Sequence, residues 1–433
     1  MTSAATERSD GGAMYALVEK LYPICRSITG NGVRETLQTL SSYVPLSVHE
    51  VPTGTPVLDW TVPKEWNVRD AWIADASGKR VVDFRASNLH LVGYSVPVRA
   101  RMSLDALRPH LHALPDRPDL VPYRTSYYEE TWGFCLTQRQ LDAIPDGDYE
   151  VCVDSTLEPG SLTYGELVVP GESDEEILVS AHVCHPSLSD DNLTGIAVAT
   201  FLARALASRP RRRYTTRFLY APGTIGALAW LAANRERARR IRHGLTLTCL
   251  GDAQPLTYKR TVGGSSEIDR AAIHVLATSA LPHAAIDFFP YGYDERQYNS
   301  PGFRIPVGSL MRGRHGQFPE YHTSADNMAF VSADRMAEAL RVCRDVIDVL
   351  EGNAAYVNLA PDGEPQLGRR GLYGSLGGTN VAARQLAMLW VLNLSDGQHD
   401  LLAIAERARA PFGDVREAAD LLLSHGLLRE REI

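Results

Sequence analysis

The chain has 433 residues, of which 44% are hydrophobic and 22% charged, and carries a net charge of −8. That length calls for two or three domains rather than one small core. The modest negative charge argues against a bulk nucleic-acid binder, and no apolar run approaches the ~18 residues of a membrane helix.

In chain order, the first dozen residues read as disordered, and they hold no apolar stretch of the kind a secretory signal needs. From Ala13 to Leu40 two short helices are expected, with Met14, Leu17, Val18 and Leu21 at helical spacing. The turn Ser27–Gly32 separates them. Residues 57–153 change texture. Short alternating runs such as Val81–Phe84 and Asp148–Val153 lie between Pro, Gly and Asp clusters, which predicts a small β-rich unit.

From Leu162 strands and helices alternate. Strands are expected at Glu176–Ala181, Thr215–Ala221, Leu245–Leu250 and Ile305–Leu310. Helices are expected at Leu193–Ala207, Ile225–Asn234, Ile268–Ala280 and Ala333–Leu350. The pattern predicts an α/β fold, a doubly wound and mostly parallel sheet with helices on both faces. The basic run Arg211–Arg213 reads as a solvated turn.

A Pro- and Gly-rich linker begins at Leu359. Three helical patterns follow, at Ala382–Leu392, His399–Arg407 and Gly413–Ser424, and then a short strand from Gly426. This predicts a winged-helix-like module over residues 365–433. Arg416 shares its third helix with Glu417 and Asp420, so protein packing is favoured over DNA binding. The expected catalytic domain comprises residues 13–56 and 154–356, with residues 57–153 as an inserted domain. Six scattered cysteines form no CxxC, so a cytoplasmic protein with reduced thiols is expected.

Ligands gather outside the carboxyl ends of parallel strands. His182 and Asp252 follow two expected strands, and Asp191 and His322 lie on loops of the same sheet. Imidazole and carboxylate together suit Zn²⁺ better than Mg²⁺ or Ca²⁺. Each residue also has a plainer use. Asp191 or Asn192 can cap the helix near Leu193, and Asp252 can serve a turn. It is the set of four that points to a metal.

These residues bring a family into view. His182, then Asp191-Asn192-Leu193-Thr194-Gly195, then Asp252, then Tyr321-His322-Thr323-Ser324-Ala325-Asp326 follow its motif order. The middle of the chain resembles the zinc aminopeptidases of the two-zinc, leucyl-aminopeptidase-like group. Arg26–Gly30, Ser126–Tyr128, Trp132–Cys135, Asp294–Gln297 and Pro319–His322 are similar to a bacterial subgroup with a β-rich insert and a C-terminal winged helix. That subgroup often lies near polysaccharide or natural-product biosynthesis.

The resemblance implies Zn²⁺ held by His182, Asp191, Asp252 and His322, with Asp191 as the bridging carboxylate. It also exposes departures. Cys184 stands where an aspartate usually orients the first histidine, and Gly223 where a general-base glutamate is expected. A lost glutamate ligand favours one bound zinc over two. Glu295, Glu320 or Asp294 is a candidate replacement base. Asp294 or Glu295 could hold a substrate ammonium, and Arg296 could neutralise one of them.

His185 is a second ligand, a substrate contact or a structural group. Asp326 orients His322 or serves a turn. Tyr128, with Tyr127 and Trp132, roofs the pocket or packs the insert. Arg26 meets a substrate carboxylate or a buried partner. The implied partner is a small molecule or short peptide, with a homo-oligomer possible and neither membrane nor nucleic acid expected. The implied activity is that of a zinc-dependent hydrolase in a biosynthetic pathway. The alternative is an impaired aminopeptidase-like protein that binds a metabolite or a protein partner.

Overall fold

The computed structural model describes residues 3–372 and 379–431. Contacts divide it into two units. One comprises Met1–Gly263 and Ile286–Leu340, the other Gly264–Ala285 and Arg341–Ile433.

An eight-stranded sheet organises the chain. Its strands are β1 (Ser47–Pro52), β2 (Ser161–Val169), β3 (Ser173–His182), β4 (Tyr214–Ala221), β5 (Ile241–Leu247), β6 (Leu256–Lys259), β7 (His283–Ile286) and β8 (Val307–Met311). They lie in the order β1-β2-β4-β3-β5-β8-β6-β7. β4, β3, β5 and β8 form a parallel centre. The pairs β1–β2, β2–β4 and β6–β8 are antiparallel. The sheet is therefore mixed with a parallel middle.

β3 shows why the centre forms. Every residue from Glu176 to His182 is buried, the continuous burial of a strand covered on both faces. The helix Gly195–Ala207 is buried along most of its length and covers the strands with Ile196, Val198, Phe201 and Leu202. One charged residue in this interior is fully compensated. Arg217 on β4 donates to Glu176 at 2.7 and 2.8 Å and pairs with Glu166 at 2.8 Å. Trp230 Nε1 donates to the same Glu166 at 2.7 Å.

The inserted segment builds its own antiparallel sheet in the order Arg80–Asp83, Glu65–Ala74, Asp148–Glu158, Val98–Ser103. Trp66 anchors its core, its indole N–H donating to the Ser95 carbonyl at 2.9 Å. A loop of the same segment straps the chain that carries His322. Tyr123 N–H donates to the His322 carbonyl at 2.8 Å, and Val121 N–H donates to Ser324 Oγ at 3.0 Å.

In the second unit, strands Asp396–Asp400, Ala355–Asn358 and Leu428–Glu430 form a small sheet. Helices Thr379–Leu394, Leu401–Ala408 and Phe412–Ser424 complete a winged helix. Two of these strands, Ala355–Asn358 and Asp396–Asp400, were not expected from the sequence.

The N-terminal expectation was wrong. Residues from Ser3 are helical, in a single helix Ser3–Leu21, where disorder was expected up to residue 12. Met14, Leu17, Val18 and Leu21 are fully buried, and a Cβ on Gly11 would press against the Ala333 carbonyl. Packing carries a helix through a segment of weak intrinsic propensity. The strand expected to end at Leu250 ends at Leu247, because the chain turns through a left-handed Cys249 with φ of 50°. No helix among the described residues is long and apolar enough to cross a membrane.

Candidate metal centre

β3 delivers His182 at its carboxyl end, fully buried. The chain then turns through Ser189–Thr194 into the helix Gly195–Ala207, and this turn presents Asp191. His182 Nε2 lies 2.8 Å from Asp191 Oδ1. His322, with φ of 53°, brings its Nε2 to 3.1 Å from Asp191 Oδ2. One carboxylate thus joins two imidazoles, one of them 131 positions away from it in the chain. His185 completes the group. Its ring lies 5.1 Å from that of His182 and 5.2 Å from that of His322.

Neighbouring residues fix these side chains. Asp326 accepts from the backbone N–H groups of Asp190 at 2.7 Å and Asp191 at 3.0 Å, and from Ser189 Oγ at 3.1 Å. It therefore clamps the turn that carries Asp191 instead of orienting His322. Burial lifts the Asp326 carboxyl to about 7. Asn192 accepts from Cys249 N–H at 3.3 Å. Its amide nitrogen donates to the Leu247 carbonyl at 3.0 Å and lies 3.2 Å from His182 Nδ1. Arg26 is buried and donates to the carbonyls of His185 at 2.9 Å and Leu21 at 2.7 Å. Its place is that of a brace beneath His185.

Burial lowers the pKa of His182, and lowers that of His185 well below the ordinary value. Both rings are therefore neutral, the form in which imidazole binds metal. Burial also opposes ionisation of Asp191, but the hydrogen bonds it accepts from His182 and His322 outweigh it. They hold its carboxyl well below the usual range. The donor atoms of His182, His185 and Asp191 lie within 4.8 Å of one another. Two neutral imidazoles and one carboxylate are the donor set of a catalytic zinc with an open position. The residues present therefore fit the cation the resemblance implied.

Asp252 falls outside this group. Its Oδ2 accepts from Gly313 N–H at 2.7 Å and its Oδ1 from Gln254 N–H at 2.5 Å. One oxygen serves the loop after β5 and the other ties that loop to the chain after β8. Two residues that the sequence reading did not single out approach Asp191 instead. The donor atoms of Cys249, His315 and Asp191 also lie within 4.8 Å of one another. The available signal was positional, since Cys249 comes two residues after the end of β5.

The other expected residues are dispersed. Glu295 is buried, paired with Lys259, and accepts from Tyr293 N–H at 3.0 Å. Asp294 is buried with an Oδ1 that has no hydrogen-bond partner among the described residues, and burial raises its carboxyl well above the ordinary value. Arg296 lies 3.4 Å from Thr224 Oγ1. Tyr128 is half exposed at 51% and packs edge-on against Trp60 at 5.6 Å. Glu320 is partly buried, its carbonyl accepting from Thr323 Oγ1 at 2.8 Å.

Gly223 explains itself through Tyr293. A Cβ on Gly223 would fall within the Tyr293 ring. That ring stacks on His182 at 3.4 Å, and its hydroxyl lies 3.0 Å from Cys184 Sγ. The space where a residue-223 side chain would start is occupied by a phenol. A cleft of about 510 Å³ adjoins the cluster, lined by Tyr123, Arg124, Arg117, Tyr321 and His322.

Comparison with known proteins gives the family and the fold. A family described as a domain of unknown function (DUF4910) matches residues 15–353, and a winged helix-turn-helix family matches residues 354–430. A Clostridium acetobutylicum protein is 50% identical over 420 residues, spanning 97% of this chain and 96% of its own. It is named as a candidate polysaccharide biosynthesis protein with an aminopeptidase-like domain.

The crystal structure of a candidate peptidase from Clostridium acetobutylicum matches with a TM-score of 0.94 and 48% identity, covering 99% of this chain and 98% of that one. A zinc aminopeptidase from Bacillus subtilis shares the fold alone. Its TM-score is 0.57 at 12% identity, over 78% of this chain and 94% of that one. The chain belongs to the DUF4910 family, shares the fold of the Bacillus subtilis zinc aminopeptidase and carries a C-terminal winged helix.

Proposed function

We propose that the protein is a zinc-dependent hydrolase acting on a small amine- or amide-bearing molecule in a cytoplasmic biosynthetic pathway. The observation that carries this reading is the convergence of His182, Asp191 and His322 beside an open cleft. The name of the Clostridium relative supports a biosynthetic setting, and six free cysteines suit a reducing compartment.

His182, His185 and Asp191 would hold the zinc, and His322 closes the group on the cleft side. A bound zinc would polarise a carbonyl and lower the pKa of water. Proton transfer falls to this chain's own groups. Glu295 is tied to Lys259, and burial keeps Tyr293 protonated, a hydrogen-bond donor rather than a base. We assign proton transfer to Glu320, on the segment leading into His322. General acid–base catalysis contributes about 10²–10⁴ in rate, so Glu320→Gln lowers kcat by about 10²-fold or more with metal content unchanged.

A second reading has a specific observation behind it. The Tyr293 ring fills the space beside Gly223, and this favours a protein that binds a metabolite without turning it over. Metal analysis together with hydrolysis of aminoacyl anilides separates the two. The hydrolase reading expects bound zinc, activity lost on chelation and restored by zinc, and loss of both metal and activity in His182→Ala. Bound zinc with no hydrolysis over a broad set of anilides and amides overturns it in favour of metabolite binding.

A further inference from the structure

We infer that the cleft beside His322 holds an acidic group of the substrate, a carboxylate or a phosphate, on Arg117 and Arg124. The inference rests on the hydrolase reading above and narrows its substrate, from any small amine or amide to one that also carries an acid. The cleft measures about 510 Å³, and Asp116, Arg117, Tyr123, Arg124, Tyr321 and His322 are among its lining. That is the size of a small-molecule site. Tyr123 and Tyr321 supply apolar faces, His322 leads to the metal centre, and the two guanidinium groups are the fixed cations of the wall.

Both arginines are held in place without a carboxylate. The strap that carries Arg124 is fixed on each side. Tyr123 N–H donates to the His322 carbonyl at 2.8 Å, and the Arg124 carbonyl accepts from Gly93 N–H at 2.9 Å. The Arg124 guanidinium donates to His112 Nδ1 at 3.0 Å. Burial and the neighbouring Arg124 charge lower the pKa of His112, so its ring is neutral and accepts. Arg117 donates to the Pro319 carbonyl, on the segment leading into His322. Neither guanidinium forms an ion pair among the described residues. Other exposed arginines do: Arg69 pairs with Asp154, Arg99 with Glu150 and Arg211 with Glu172.

Charge decides what these groups accept. A guanidinium has five N–H donors and no acceptor. Here each gives one donor to a neutral acceptor and keeps others for a ligand. Arginine meets a carboxylate or a phosphate as a planar fork. Asp116 is the one acidic residue of the lining, set against two arginines. In a chain of net charge −8, that local positive excess disfavours a cationic ligand and favours an anion. An acid held there leaves the rest of a small molecule beside His322, whose Nε2 lies 3.1 Å from Asp191 Oδ2.

The test uses the full-length protein as purified, with its metal content measured, and three probes that share an acetamide. They are N-acetylglycine, N-acetylethanolamine phosphate and the neutral N-acetylglycinamide. In calorimetric titration of wild type, one of the two acids binds about tenfold or more tighter than the neutral probe, and the gap closes as salt is raised. Which acid gains more tells carboxylate from phosphate. Arg117→Gln and Arg124→Gln each lose that gain and keep the metal content and the affinity for the neutral probe. Arg99→Gln, outside the cleft, keeps the gain. Both cleft arginines are exposed, so neither change disturbs the core. Equal binding of the three probes by wild type, or binding of none, overturns the inference. So does a preference for the acid that survives in both arginine variants, since the acid would then sit on the metal. The hydrolase reading fails separately: an arginine-dependent preference without hydrolysis of any acidic amide sinks catalysis and leaves the acid site standing.

Discussion

Gly223 has no room for a side chain. A methyl group there would enter the Tyr293 ring, and overpacking of this kind costs about 1–3 kcal/mol. Gly223→Ala is expected to lower the unfolding free energy by that amount, and to cost far less when made in a Tyr293→Ala background. A double-mutant cycle measures the coupling, and additive losses would refute it. Gly223→Glu alone gains no peptidase activity for the same steric reason. Much of this site was legible in the sequence. Strand ends and loop motifs mark His182, Asp191 and His322, and the structure brings these three side chains together. Cys249 and His315 were not. A cysteine after a strand carries no distinctive signal alone, and an acidic residue three positions later drew attention to Asp252. The occupant of the Gly223 space was also hidden, because Tyr293 comes from a segment 70 residues downstream.

At the scale of single strands, two interior groups make measurable predictions. Arg217 on β4 neutralises Glu176 and Glu166. Removing one partner of a buried ion pair leaves uncompensated charge and costs about 3–5 kcal/mol. Arg217→Met is expected to lose that much in equilibrium unfolding, and a loss below 1 kcal/mol would refute the role. His243 lies on β5, where burial pushes its pKa down to about 4. Its folded value is below its unfolded value of about 6.5, so the unfolded chain binds the extra proton. Its contribution is complete above about pH 6.5 and is lost as pH falls towards 4. Between pH 7 and pH 5 the wild type should lose about 2 kcal/mol more than His243→Gln. The four parallel central strands were legible from apolar runs, whereas β1, β6 and β7 were not expected. The helix from Ser3 was not, since only its contacts stabilise it.

For the molecule as a whole, domain borders read along the chain differ from borders in space. The winged-helix family begins at residue 354, yet the same compact unit takes in Gly264–Ala285 and the chain from Arg341. Arg270 pairs with Asp400 at 3.0 Å and Glu406 at 2.9 Å. Asn353 donates to Glu267 at 2.7 Å and Asp400 at 3.1 Å. A fragment of residues 354–433 lacks these partners. It should unfold without a cooperative transition, whereas the intact chain shows one for this unit. Cooperative melting of the fragment would show that the extra helix is dispensable. Periodicity reports local elements, so it marked the helix expected at Ile268–Ala280 but not the unit that helix joins.

The insert's strap onto the His322 chain also governs traffic. Among the residues lining the adjoining cleft, His322 alone belongs to the cluster around Asp191, and the Tyr123 N–H holds its backbone. A visitor that enters from this cleft meets the His322 imidazole before the buried carboxylate. Bulky chelators should therefore strip the protein far more slowly than slender ones of equal affinity, and cutting the strap should erase the difference.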